Sequence, residues 1–473
     1  MNKGQVQVQV QGETIAAPDV AQPKISTRKT VLLLAWPAIL EQIMQTMVSY
    51  VDLAMVGSMG VNAAASVTIN TSLLWMINGI IWGPVTGFSV LAATALGQND
   101  PEKVKKIMRQ AMTAMLLLGL LMLALIEGLA QFFARVMGAE ADIIPDARAY
   151  LMLIGFGIPF QIMLAVCSGL VRGLGDTKTP MLYNILFNLL NIVLNYLLIY
   201  PVGSVKLMGF TVKTIGLGLG VRGAALGTSG GALIAGLLML RVLFSKRRAI
   251  SIRVRDDYRP DKVIVRQMLY LSVPVIFERI SISFGQILGS ALATGLGTAA
   301  LAAHQLANTG ESICYMPAFG FGIAVTTLVA QSAGAGREDL KHEYARLCMI
   351  YDLIIMCTMA ALMYVFAPQL MGFFIADAAV IKAGAVLLRI QTFAEPCLAI
   401  NFVATGIMRG EGDTKWPFLI AVIGMWAVRL PLSFLFVKGF GLGLEFLWVA
   451  MACDWISRAA LCWIRLKKGR RRF

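Results

Sequence analysis

Charge is scarce in this chain: Asp, Glu, Lys and Arg make up 14% of its 473 residues, against 58% hydrophobic residues. Soluble domains carry about a quarter charged residues and roughly half apolar ones. A solvent-covered enzyme is therefore excluded, as are disordered and disulfide-scaffold classes. Histidine is nearly missing. The two copies, His304 and His342, share no ligand spacing, which argues against a metal centre. The seven cysteines form no CxxC and lie in or beside apolar runs, where free Cys behaves as a small buried hydrophobe. The opening MNKGQVQVQVQGETIAAPDVAQPK has no apolar core of the kind a secretion signal needs. Residues 1–27 read as a disordered cytoplasmic tail, with a QVQVQV alternation too short to support a sheet. No nucleotide-binding motif is present. Gly218, Gly220 and Gly223 match G-x-G-x-x-G, but in a loop with no strand expected before them.

What the chain does have is long apolar runs, and a mean hydropathy of +0.73. About 20 apolar residues cross a bilayer as a helix. Twelve runs of that order occur, at approximately 31–56, 67–97, 108–133, 149–170, 181–200, 223–244, 267–296, 311–334, 345–367, 382–407, 417–437 and 444–464. The expected fold is an all-α polytopic membrane protein of twelve transmembrane helices. Prolines 37, 84, 159, 274, 317 and 396 interrupt several runs, which a membrane tolerates only where protein or a wet cavity satisfies the freed backbone groups.

The net charge of +15 is placed by topology. With the N-terminus inside, 28 of the 41 Lys and Arg fall in cytoplasmic segments and 7 in external ones. Both termini are thus expected in the cytoplasm, the protein in the inner or plasma membrane, and no nucleic-acid partner is implied. The basic loops can also meet anionic lipid.

The two halves are repeats. AWPAILEQ (35–42) parallels SVPVIFER (272–279), so Pro37 and Glu41 recur as Pro274 and Glu278, 237 residues later. RGLGDTKTP (172–180) parallels RGEGDTKWP (409–417) at the same offset. TALGQ (94–98) echoes TLVAQ (327–331) at 233. Six spans per repeat give both halves the same orientation, two six-helix bundles about a pseudo-twofold axis along the membrane normal. The expected organisation is a tail at 1–27, an N-terminal lobe at 28–244, a basic linker at 245–266, a C-terminal lobe at 267–464 and a basic tail at 465–473.

Intramembrane polar residues are costly and mark function. Glu41 and Asp52 stand 11 residues apart, about three helical turns, with Gln45 and Ser49 between them on one face. Asn184, Asn188, Asn191 and Asn195 form a second stripe at i, i+4, i+7 and i+11. Lipid cannot satisfy four amides, so the stripe lines a wet cavity or cation site, the plainer alternative being interhelical hydrogen bonding. Adding 237 turns Asp52 into Gly289 and the four Asn into Ala421, Met425, Val428 and Leu432. The coupling site is therefore expected in the N-terminal lobe, the repeat supplying architecture. Charges in the C-terminal half include Arg279, Asp352, Arg389, Glu395, Arg429, Asp454 and Arg458, of which Asp454 and Arg458 can neutralise each other at i,i+4. Asp176 and Asp413 read as helix caps.

PAILEQIMQTMVSYVDLAMVGSMG (37–60), LNIVLNYLLIY (190–200), GVRGAALGT (220–228) and the two GDTK loops together resemble the MATE (multidrug and toxic compound extrusion) family, over residues 28–464. The resemblance implies a secondary antiporter that exports amphipathic or cationic organic compounds in exchange for H⁺ or Na⁺ by alternating access. It implies small-molecule substrates, no cofactor beyond the ion, no enzymatic activity, and a monomer. It also implies a cation-coupling site at Asp52, Asn191, Asn195, Tyr150 and Thr228, with Na⁺ at Asp52 the one metal to consider. Glu41, Gln45, Asn184, Asn188 and Glu278 are expected to line the substrate cleft, and Pro37 and Pro274 to act as hinges. Many members carry Asp where this chain has Asn195, so the choice of ion stays open. The C-lobe Na⁺ ligands of some members, a helix-7 Glu deeper than Glu278 and a helix-10 Asp near Leu398, have no match. The alternative is a flippase for a lipid-linked sugar, and a more distant one is a membrane-embedded enzyme.

Overall fold

In a computed structural model that describes residues 7–10, 13–16, 26–207, 210–245, 250–253, 255–375 and 377–470, the apolar runs are helices. Eleven are long and apolar enough to cross a bilayer, and a bent pair makes a twelfth. They are α1 (Thr27–Gly57), α2 (Val61–Gly97), α3 (Pro101–Ala130), α4 (Ile144–Gly173), α5 (Lys178–Ile199) and α6 (Val221–Leu243). The second set is α7 (Lys262–Thr294), α8 (Thr298–Gly334), α9 (Glu338–Phe374), α10a (Ala378–Thr392) with α10b (Glu395–Gly410), α11 (Lys415–Gly439) and α12 (Leu444–Arg470). The all-α polytopic expectation holds.

Local chemistry sets the boundaries. Asp100 caps α3 by accepting from Lys103 N at 2.9 Å, with Pro101 at the first helical position. Asp176 accepts from Thr179 N at 3.0 Å, and Asp413 from Trp416 N at 3.3 Å. The caps expected there are present. Leu116, Leu117, Leu120 and Leu121 share one face of α3 and are each more than half exposed. Water would penalise such a patch; hydrocarbon is its natural surroundings.

The helices group into two units. Met44–Leu269 form the first, with the N-terminal strands; Pro23–Ile43 and Tyr270–Phe473 form the second. The boundaries differ from those expected, because residues 28–43 group with the C-terminal helices and 262–269 with the N-terminal ones. Within the second unit, a Cβ on Gly320 of α8 would lie 2.8 Å from Ile39 N, so α1 lies directly against α8 there. The first unit packs around Phe88, Ile107, Met108, Ile126, Leu151 and Ile162. The second packs around Trp448, Met363, Met371, Leu387 and Leu388.

Backbone conformation repeats with the sequence. Gly60 and Gly297 hold φ of 115° and 107°, and Gly175 and Gly412 hold 88° and 82°. Asn99 at φ 53° matches Gly336 at 68°. All three pairs are 237 apart, as are both ends of α2 and α8. The TALGQ–TLVAQ echo at 233 is therefore one helical turn out of structural register.

Four further differences from the sequence expectations appear. Gln7–Val10 pairs antiparallel with Glu13–Ala16, Gln7 opposite Ala16, so part of the tail expected to be disordered forms a two-stranded hairpin. The Val/Gln alternation supplies the period of two that pairing needs; the rest of 1–25 lies outside the described residues. A second hairpin, Gly203–Leu207 with Phe210–Thr214, precedes the glycine-rich loop, where the sequence suggests no strand, and the Tyr196 hydroxyl donates to the Lys213 carbonyl in it. Helix α12 continues to Arg470, through much of the expected basic tail. The basic linker is partly described and is strapped to α3: Gln110 Nε2 donates to Arg259 O at 2.7 Å, Gln110 Oε1 accepts from Asp261 N at 3.0 Å, and Thr113 Oγ1 donates to Tyr258 O at 3.0 Å.

Candidate functional site

Helix α5 turns its asparagine stripe inward. Asn188, Asn191 and Asn195 are buried, and Asn184 is half-buried. Opposite them α6 carries Gly223, Gly227 and Gly231 at every fourth position. A Cβ at Gly227 would lie 2.9 Å from Asn195 N and overlap its side-chain oxygen, so only glycine allows this approach. The close contact brings Thr228 to Asn191 and both asparagines to Asp52 of α1.

Asn195 Nδ2 donates to Asp52 Oδ1 at 2.9 Å. With its amide nitrogen turned to the carboxylate, Asn191 donates to Asp52 Oδ1 at 2.7 Å and Oδ2 at 3.1 Å, and its oxygen accepts from Thr228 Oγ1 at 2.9 Å. That orientation suits an ionised Asp52, since the reverse sets two acceptors face to face. In the reverse orientation Asn191 Nδ2 donates to Thr228 Oγ1 at 2.9 Å, and Thr228 donates to Ala224 O at 3.1 Å. Tyr150 of α4 lies within reach of the Asp52 charge. Asn195 Oδ1 is buried without a hydrogen-bond partner among the described residues. Asp52, Asn191, Asn195, Thr228 and Tyr150 thus come together from α1, α4, α5 and α6.

The residues expected in the substrate cleft divide between the units. Gln45 is exposed in the first, where Asn184 Nδ2 donates to Pro180 O at 2.9 Å. Glu41 and Glu278 are buried in the second. Arg409 Nη2 donates to both oxygens of Glu278, at 2.7 and 2.8 Å. Two marks of the repeat, the first-helix glutamate and the arginine of the GDTK loop, meet in that ion pair. Their equal offset is the signal for it in the sequence. Asp454 and Arg458 form the expected pair at 2.5 Å, both buried. Glu311 and Gln391, by contrast, are functional candidates that the sequence pattern does not single out. A hydropathy window begins span 8 at Glu311, whereas α8 starts at Thr298 and holds Glu311 well inside.

The MatE family model matches residues 37–197 and 274–435. A probable multidrug resistance protein NorM of Thermotoga maritima is 29% identical over 437 residues, covering 92% of this chain and 91% of that protein. Multidrug resistance protein PmpM of Pseudomonas aeruginosa is 27% identical over 458 residues, covering 94% and 92%. Among solved structures, a MATE in complex with MaL6 matches with a TM-score of 0.88 at 21% identity, over 97% of this chain and 99% of that one. A MOP superfamily transporter from Pyrococcus furiosus matches with a TM-score of 0.86 at 22% identity, over 98% of each.

Proposed function

The chain belongs to the MatE family of multidrug efflux transporters, and on that premise we propose that it is a secondary antiporter coupled through Asp52. It is a multi-pass membrane transporter and not an enzyme. The substrates are amphipathic, often cationic, organic molecules, and the exchanged ion is H⁺ or Na⁺. The observation that carries this reading is a carboxylate held by two amides, with no ion pair to it among the described residues. A charge so placed is stable only while its donors face it, and a bound cation changes that balance.

The residues present fit either ion. A proton on Asp52 turns one carboxylate oxygen into a donor. The reversed Asn191 amide then satisfies it, and Thr228 changes from donating to Asn191 to accepting from it. For Na⁺, the carboxylate, the unpartnered Asn195 oxygen and the Thr228 hydroxyl supply hard oxygen ligands. In both cases the event at Asp52 is felt by α1, α5 and α6 at once. Helix α1 also carries Pro37, whose missing N–H weakens the helix and makes it the natural hinge for alternating access. The flippase alternative needs cationic groups for pyrophosphate, whereas Arg409 and Arg458 are engaged by Glu278 and Asp454, Arg389 donates to Tyr364 O, and Arg429 is attracted by Asp454 and Glu311.

The test is dye efflux from reconstituted vesicles under a pH gradient or a Na⁺ gradient, imposed separately. Wild type is expected to move dye under one of them, and Asp52→Asn to bind dye without gradient-driven transport. Normal transport by Asp52→Asn under that gradient would remove Asp52 from the coupling step.

A further inference from the structure

The second unit holds a polar cluster of its own. Glu311 lies within α8, Gln391 near the end of α10a, and Glu395 at the start of α10b, across a 53° bend. They are 4%, 0% and 0% exposed. Gln391 Nε2 donates to Glu311 Oε1 at 2.8 Å. Both oxygens of Glu395 and Oε1 of Gln391 have no hydrogen-bond partner among the described residues. Three buried acceptors at a break in a membrane helix, with no donor supplied, call for a cation.

Charge points the same way. Glu311 and Glu395 lie close enough to repel each other, and Arg429 close enough to attract Glu311. Arg429 closes the π-helical stretch Ile423–Arg429 and also feels Asp454 and Arg458, which are paired. Three ionised carboxylates thus face two guanidinium groups, leaving one uncompensated negative charge in the bilayer. The other titratable neighbours do not remove it. Cys314 senses both glutamates as a neutral thiol. His304 accepts at Nδ1 from Trp448 Nε1 at 3.0 Å, so its ring is neutral. Asp352 is buried on α9, where its charge acts on Cys348.

We propose that Glu311 and Glu395 form a second ion-binding site, distinct from Asp52, that holds one exchangeable proton between the two carboxylates. That proton cancels the residual charge and gives the cluster one O–H donor where three acceptors have none. A hard metal ion gathers about six oxygens, whereas no group of three acidic, His or Cys side chains converges among the described residues. The repeat is an internal control. The positions 237 earlier are Leu74, Ile154, Ile158 and, for Arg429, Ile192, so the fold is built without these polar groups. Pro159 corresponds to Pro396, yet α4 runs unbroken through it. Proline alone therefore does not impose the bend beside Glu395. Glu278 is occupied by Arg409 and position 398 is a buried leucine, so neither takes part.

The experiment is pH-difference infrared spectroscopy of the full chain in nanodiscs, on an Asp52→Asn background so that the result is independent of coupling at Asp52. The signal is the carbonyl stretch of a protonated carboxylic acid. A titrating band is expected that is lost on adding Glu395→Gln and lost or shifted on adding Glu311→Gln. Thermal unfolding of each variant serves as the control for folding, and the two variants are read separately in case one fails to fold. A band unchanged by either substitution would overturn the proposal. So would a band abolished at constant pH by Na⁺ but not by choline, which would make the site one for sodium.

Discussion

At the residue scale, Asp52 is legible in the sequence because a carboxylate inside an apolar run has few reasons to be there, and the asparagine stripe because its spacing keeps one face. What the sequence hides is the glycine that lets them meet. Gly227→Ala adds a Cβ against Asn195 N. Overpacking of this kind costs about 1–3 kcal/mol, and here it also pushes the amide off Asp52. The variant is expected to unfold at a lower temperature and to lose gradient-driven dye efflux, whereas an alanine at the exposed Leu226 leaves both intact; equal efflux in the two variants would deny the contact its role. The Asp454–Arg458 pair makes a different prediction. Removing one partner of a buried pair costs about 3–5 kcal/mol, but replacing both with apolar residues is often neutral. Arg458→Met is expected to be strongly destabilised and Asp454→Leu/Arg458→Met to recover most of the loss, measured by thermal unfolding in detergent. Failure of the double variant to recover would show that Arg429 depends on Asp454 for its own compensation.

Elements are where sequence and structure part furthest, for a physical reason. Helices α2, α8 and α9 each have 37 residues, about 55 Å at 1.5 Å per residue, against a hydrocarbon core of about 30 Å. A hydropathy window sees only the part that matches lipid, so it starts these helices late and leaves Glu311 at an edge. The break between α10a and α10b is equally hidden, since Pro159 and Pro396 stand in equivalent places and one of the two helices stays whole. The linker is the clearest element-scale test. Its backbone is tied to α3 through two hydrogen bonds of Gln110, worth about 1 kcal/mol each. Gln110→Ala is expected to speed chymotryptic cleavage after Tyr258 by about tenfold or more, because cleavage follows the free energy of local opening. Unchanged cleavage would mean that Thr113 and the surrounding packing hold the strap without it.

For the whole molecule, the charge bias of the loops and the duplication are both legible in the amino-acid sequence: one needs only counts, the other only an offset. The bias predicts that a fluorescent protein fused after Phe473 glows and that alkaline phosphatase fused there stays inactive; the reverse pattern would invert the topology. The duplication allows a sharper test. Its two halves share helix ends, left-handed turns and the GDTK loops, but the polar residues fall at non-equivalent positions, Asp52 with Asn191 and Asn195 in one, Glu311 with Glu395 in the other. If a carboxylate at the right place on the first helix of a repeat were enough for coupling, moving it to the second repeat would preserve function. Position 289 is the counterpart of Asp52, and a Cβ there meets nothing within 4 Å, so an aspartate has room. The counterparts of its amide donors, however, are Val428 and Leu432. Asp52→Asn/Gly289→Asp is therefore expected to remain without gradient-driven efflux, because the transferred charge finds no amide to hold it. Restored efflux in that double variant would mean that the carboxylate alone couples transport and that the asparagine stripe serves only to pack α5 against its neighbours.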